Sequence, residues 1–226
     1  MIIVSERLRG KLPENFDWFY MPTSPFLPRE VAFHTDLRIF SFNDELICAP
    51  SVYEIICRAV DIPVLCGEKE PSGKYPDDVP YNAIAVGRFL ICNPETADKT
   101  IIRESEKRGL KVIGVRQGYA RCSVAVVCGT PGDEAIITSD NGIAKAAKAY
   151  GMDVLKIKSG GIRLEGFEYG FIGGATVTIP DELLFFGNPE SHPSGKEIVE
   201  FCRKYGVKVT ALIDGHLTDF GSGICV

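Results

Sequence analysis

Apolar residues in this chain come in short alternating runs that recur in a fixed order: two strands joined by a tight turn, an amphipathic helix, then a third strand. The clearest strand pairs are 123–128 with 134–138, across Thr130-Pro131-Gly132-Asp133, and 174–179 with 182–186, across Pro180-Asp181. Pro, Gly and Asp supply the backbone angles that such reversals need. The second strands begin near Glu45, Arg88, Glu134 and Glu182, at spacings of 43, 46 and 48 residues. A fixed period of this size marks a structural repeat.

Polar punctuation supports the same division. Asn93-Pro94-Glu95 and Asn188-Pro189-Glu190 each follow an apolar strand directly. Asn caps, Pro has no amide to leave unpaired, and Glu suits the positive end of a helix. Equivalent entrances are Ala49-Pro50-Ser51, where Ser51 and Glu54 predict a capping box, Thr138 to Asn141, and Ser194 with Glu197. Gly109, Gly151 and Gly206 each close a helical pattern and lead into an alternating strand. The pattern predicts one α/β domain over 1–226, with ββαβ units at 31–66, 81–115, 119–157 and 170–212. A fifth unit would be assembled from 216–226 and the N-terminal segment.

Composition narrows the setting. With 45% hydrophobic and 24% charged residues the chain can bury a sizeable core, and a net charge of −5 argues against a nucleic-acid or anionic-membrane surface. Met1-Ile2-Ile3-Val4 is cut off by Ser5-Glu6-Arg7, and no later apolar run is long enough to span a bilayer. The eight cysteines form no Cys-x-x-Cys pair, and several lie in apolar runs. They read as reduced, mostly buried thiols of a cytoplasmic protein. No P-loop, dinucleotide fingerprint or sequence cluster with metal-ligand spacing is present, so neither cofactor nor metal is expected.

ββαβ units of this length resemble the pentein fold, an α/β propeller with a pseudo-fivefold axis found in guanidino-group-modifying enzymes. Residues 116–226 look like the last part of the dimethylarginine dimethylaminohydrolases in unit order, hairpin spacing and the segment Asp214-Gly215-His216-Leu217-Thr218. The N-terminal half matches in its repeat pattern alone. The whole also resembles a bacterial family of this fold whose activity is not known. In the enzymes a cysteine attacks the guanidinium carbon, a histidine moves protons and carboxylates hold the cation. Here the cysteine's place falls on Asp219 or Phe220, the histidine's near Ala120, and the acidic motif has only a partial likeness in Leu164-Glu165-Gly166-Phe167-Glu168.

Other residues would have to substitute. Cys122, two residues from Ala120 on what reads as one strand face, is the candidate nucleophile, with neighbouring Arg121 to lower its pKa. A small buried strand residue is the other reading of Cys122. His216 and Asp219 complete the candidate catalytic set, with His34 as the alternative proton shuttle, and the spacing of His216 and Asp219 suits either an oriented imidazole or a strand-end turn. The resemblance places the first strands around a central cavity, where His34, Asp36, Asn82, Arg121, Gly173, Gly174 and Ser222 would meet a ligand. Two functions follow: a small-molecule enzyme or its relic, binding a guanidinium, amidinium or amino-acid-like compound, or a non-catalytic binding protein. Translation initiation factor six, with the same fold, acts by surface contact with the ribosome.

Overall fold

A computed structural model describes residues 1–226. Its secondary structure is fifteen short strands in five three-stranded sheets, with helices between them. Sheet I is β3 (Ile39–Ser41), β4 (Leu46–Cys48) and β5 (Val64–Cys66). Sheet II is β6 (Ile84–Val86), β7 (Phe89–Cys92) and β8 (Lys111–Gly114). Sheet III is β9 (Val124–Cys128), β10 (Ala135–Thr138) and β11 (Asp153–Lys156), and sheet IV is β12 (Thr176–Ile179), β13 (Glu182–Phe185) and β14 (Lys208–Ala211). Sheet V draws on both chain ends: β15 (Ile224–Cys225), β1 (Ile2–Ser5) and β2 (Trp18–Met21). In every sheet the central strand is antiparallel to the first and parallel to the third. The parallel pair needs a crossover, which is a helix in sheets I to IV: α1 (Tyr53–Ala59), α2 (Lys99–Lys107), α4 (Asn141–Ala149) and α5 (Gly195–Lys204). In sheet V it is a short 3-10 turn, Glu6–Leu8.

The glycine exits behave as the sequence predicts, with left-handed φ of 69° at Gly109 and Gly206 and 86° at Gly151. The entrances differ. Asn93 and Asn188 accept hydrogen bonds from the amides of Glu95 and Glu190, but these are turns standing ahead of the helices. Helix α2 is capped instead by Asp98, whereas α4 starts within Thr138 to Asn141 as expected, with Asp140 as its cap. Ser51 makes no capping box with Glu54, because its hydroxyl and amide both bond the Glu70 carboxylate.

Burial ties neighbouring sheets together. One core joins Ile3 and Met21 of sheet V to Phe40 and Ile47 of sheet I and Leu90 of sheet II. A second joins sheets II and III through Ile91, Ile113, Val126 and Ile136, and a third joins III and IV through Val127, Ile137 and Phe185. A fourth joins IV to V through Val177, Leu184, Ile2 and Val4. The first strands also touch in series: β3 packs on β6, β6 on β9, β9 on β12 and β12 on β15. No helix is long and apolar enough to cross a membrane.

Candidate functional site

Each first strand is preceded by a tight turn, and these turns converge. Asn82, Cys122, Gly174 and Ser222 each stand two residues before the first strand of their sheet, and Asp36 stands three before β3. Cys122 is therefore not a strand residue, as the sequence suggested, but part of a single helical turn, α3 (Ala120–Ser123), with β9 beginning at Val124.

Asn82 fastens three of the turns. Its Oδ1 accepts from the Cys122 amide at 3.1 Å, and its Nδ2 donates to Asp36 O at 3.3 Å and Cys122 Sγ at 3.1 Å. The Cys122 thiol donates to Asp36 Oδ2 at 3.1 Å. Ser222 lies 2.6 Å from the same oxygen and 3.0 Å from Gly173 O. Its single hydroxyl proton serves the nearer carboxylate. Ser222 is buried and holds a left-handed φ of 53°, an unfavourable conformation for a non-glycine residue that persists only where its surroundings fix it.

The His34 ring lies between two buried carboxylates. Its Nδ1 is 3.9 Å from Asp36 Oδ1 and its Nε2 is 3.8 Å from Asp219 Oδ1. Neither distance is a hydrogen bond, and His34 Nε2 and Asp36 Oδ1 are both buried without a partner. Asp219 is held from below by the amides of Phe171 and Gly221, each at 2.9 Å. Two glycines make this packing feasible. A Cβ on Gly174 would lie 2.0 Å from Asp219 Oδ1, and one on Gly173 would lie 2.2 Å from Arg121 O and 2.6 Å from Cys122 O. Gly173 and Gly174 thus serve close approach within the cluster.

Burial and charge set the protonation of the cluster. Desolvation, then the carboxylates of Asp36 and Asp219, push the Cys122 thiol well above its ordinary pKa. Burial raises Asp219 as well, against the opposing pull of His34. The charge of Arg121 acts on Cys122 but is outweighed by burial and the two carboxylates, so the thiol is not brought below its ordinary value. The guanidinium donates to Gly223 O at 3.0 Å. Burial depresses Arg121 below the usual guanidinium range, with Asp36 opposing.

Arg121 also reaches a cavity of about 1130 Å³ to which all five first strands contribute, among them Ile39, Ile84, Val126, Thr178 and Ile224. The remaining candidates do not line it. The expected convergence of polar residues is therefore present, but in the turns beside the cavity, while the strands inside it are largely apolar.

His216 stands apart. It is exposed, forms an isolated bridge with Asn188, and its carbonyl accepts from the Thr218 hydroxyl. It shares no hydrogen bond or ion pair with the cluster. The Leu164–Glu168 segment shares no hydrogen bond or ion pair with the cluster's side chains either, and Glu165 pairs with Arg7 at the surface. Of the eight free cysteines, Cys57 and Cys66 are exposed, against the expectation of mostly buried thiols.

The sequence reading missed the cover over the cluster. Phe171, whose amide holds Asp219, stacks on Tyr119 with ring centroids 6.1 Å apart, and the Tyr119 hydroxyl donates to the buried Asp78 at 2.6 Å. The signal was present in Tyr119, which directly precedes α3. No metal-ligand spacing is visible along the chain, because Cys122 lies far from His34 and Asp36 in sequence. In space, ligand atoms of His34, Asp36 and Cys122 all lie within 4.8 Å of one another.

The sequence from residue 4 to residue 224 matches a family of unknown function, DUF6873, and the chain belongs to that family. No curated protein matches it.

Proposed function

We propose that this member of DUF6873 is a pentein-like α/β propeller whose axial cluster binds the planar cation of a small guanidinium or amidinium compound. The fold reading is supported by five sheets of one topology, cores that link each sheet to the next, and first strands that share one cavity. The ligand reading is carried by one observation: the buried carboxylates of Asp36 and Asp219 face opposite sides of the single His34 ring. Two carboxylates in a desolvated site favour a positive partner. A guanidinium, flat and edged with N–H donors, matches that demand in shape and charge.

Chemistry at this site would use Cys122 and Asp36. The thiol proton passes to Asp36 Oδ2 as Sγ bonds the trigonal carbon. The C–N bond then breaks, with the departing nitrogen taking a proton from His34. Water then adds to the carbon and gives a proton back to His34 as the S–C bond breaks, and Asp36 returns its proton to the sulfur to restore the thiol. Of the two histidines that the sequence offered as proton shuttle, His216 and His34, the role falls here to His34. A second reading, binding without turnover, is favoured by the elevated Cys122 pKa, which keeps the thiol protonated.

A thermal-shift screen of metal-free protein against arginine, agmatine, methylarginines and guanidino acids tests the proposal. A ligand at 100 times its dissociation constant adds about 2.7 kcal/mol, and Asp36→Asn should abolish the shift. No shift with any compound would overturn the guanidinium reading. A shift without release of ammonia, amine or urea would select binding over catalysis.

A further inference from the structure

The cluster holds a second kind of positive partner in prospect, independent of the organic ligand. Asp36 spends one oxygen on the protein: Oδ2 accepts from both Ser222 and Cys122, while Oδ1 is left buried and without a partner beside His34 Nδ1. The His34 ring makes no hydrogen bond, and its Nε2 is also an unpartnered buried atom. Buried polar atoms are ordinarily satisfied, so two such atoms in one cluster call for a missing partner. The unpartnered Asp36 Oδ1 and the His34 Nδ1 that faces it at 3.9 Å can both offer lone pairs, so a cation between them would satisfy the carboxylate oxygen.

We propose that His34 Nδ1, Asp36 Oδ1 and Cys122 Sγ form a binding site for one divalent metal ion of zinc-like chemistry. The donor set decides the class. Thiolate with imidazole favours zinc and its borderline-soft neighbours, whereas magnesium and calcium take oxygen ligands. The surrounding residues are arranged as outer partners of such a site. Asp219 Oδ1 lies 3.8 Å from the far nitrogen of His34, on the side from which a carboxylate orients a ligating imidazole once it comes within hydrogen-bond reach. Ser222 and Asn82 fix Asp36 and Cys122 by hydrogen bonds to Oδ2 and Sγ. On binding, the Cys122 proton leaves to solvent as the sulfur–metal bond forms, so uptake releases a proton. Three protein ligands leave one tetrahedral position for water or a small ligand. The ion and the guanidinium are alternative occupants, and either can fail without the other.

Titration of chelator-treated protein with Co²⁺ tests the site directly. The expected result is one Co²⁺ per chain, with tetrahedral ligand-field bands, a thiolate-to-cobalt charge-transfer band, and displacement by Zn²⁺. Cys122→Ser should remove the charge-transfer band. Asp36→Asn, which keeps an oxygen for Ser222 and the thiol but replaces Oδ1 with an amide, should weaken binding by more than the roughly 10–100-fold that loss of an outer partner costs. Circular dichroism confirms that each variant is folded. Absence of the bands in the folded wild-type protein would overturn the proposal. So would a charge-transfer band unchanged in Cys122→Ser, which would assign the metal to another cysteine such as Cys57 or Cys66.

Discussion

The Cys122 thiol donates to Asp36 Oδ2 at 3.1 Å across 86 positions of sequence. A carboxylate that accepts from a thiol stabilises the protonated sulfur. Burial acts in the same direction and more strongly.

Cys122 should therefore be the slowest of the cysteines to alkylate in native protein at pH 7, and the exposed Cys57 and Cys66 the first. Peptide mapping by mass spectrometry after a timed iodoacetamide pulse gives the order. Asp36→Asn removes the larger of the two carboxylate effects and should speed Cys122 relative to wild type, without bringing it level with Cys57. Equal rates at Cys122 and Cys57 in the native wild type would contradict both its burial and its pairing.

Gly174→Ala should destabilise the fold by about 1–3 kcal/mol, because the new methyl would lie 2.0 Å from Asp219 Oδ1 in a packed interior. Gly109→Ala provides the contrast: its φ of 69° is strained for alanine, but no atom lies within 4 Å of the added carbon. The two substitutions should separate in a screen that reads the site. Gly174→Ala should blunt Co²⁺ binding as well as lower the melting temperature, whereas Gly109→Ala should lower the melting temperature alone.

The repeat was legible because it depends on local chemistry. Period-two apolar runs, Thr130 to Asp133 at a hairpin, and left-handed Gly109, Gly151 and Gly206 require no knowledge of neighbours. Membership of the cluster was also largely legible, since His34, Asp36, Asn82, Cys122, Asp219 and Ser222 all lie at or near the starts of first strands. Direction was not. Gly215, with φ of 94°, turns the chain between Asp214 and His216, so His216 faces solvent although Asp219, three residues on, is buried. Adjacency misled for Arg121 as well, since its charge acts on Cys122 too weakly to offset burial and the two carboxylates. The metal-ligand grouping had no linear signature, because its members come from two different units.

Stability should fall on acidification through Glu134. This carboxylate, at the β9–β10 turn, receives Arg88 Nε at 2.9 Å and Nη2 at 3.2 Å, and also the amides of Arg88 and Gly132. The Arg88 hydrogen bond is the main cause that holds its pKa down to about 2 against an ordinary value of 4.5. A depressed carboxylate contributes stability above its unfolded pKa and loses it as pH falls through the folded one. The contribution should thus be complete above about pH 5 and shrink towards pH 2. Glu134→Gln should lower the melting temperature at pH 7 and flatten the acid limb. Because Arg88 is largely exposed, the effect should also weaken in high salt. A melting-temperature gap between wild type and Glu134→Gln that stays constant from pH 7 to pH 2.5 would refute this assignment.

Tyr119→Phe probes the cover over the cluster, and its pH dependence has the opposite sense. Asp78 is buried, its Oδ1 has no partner, and the Tyr119 hydroxyl is the side-chain donor to its Oδ2. Burial raises the Asp78 pKa, and the Tyr119 bond partly offsets that rise. Removing the hydroxyl pushes the pKa higher, so the charged carboxylate at neutral pH costs more in the folded state than before. The penalty should be about 1–3 kcal/mol at pH 7, the cost of a buried group left unpaired. It should diminish as pH falls and Asp78 takes up its proton. Asp78→Asn in the same background should recover part of the loss at pH 7 and remove the pH dependence. Denaturant melts of the wild type, the two single variants and the double variant at pH 7 and pH 4.5 close the cycle. If Tyr119→Phe destabilised equally at both pH values, the loss would not come from the charge of the Asp78 carboxylate.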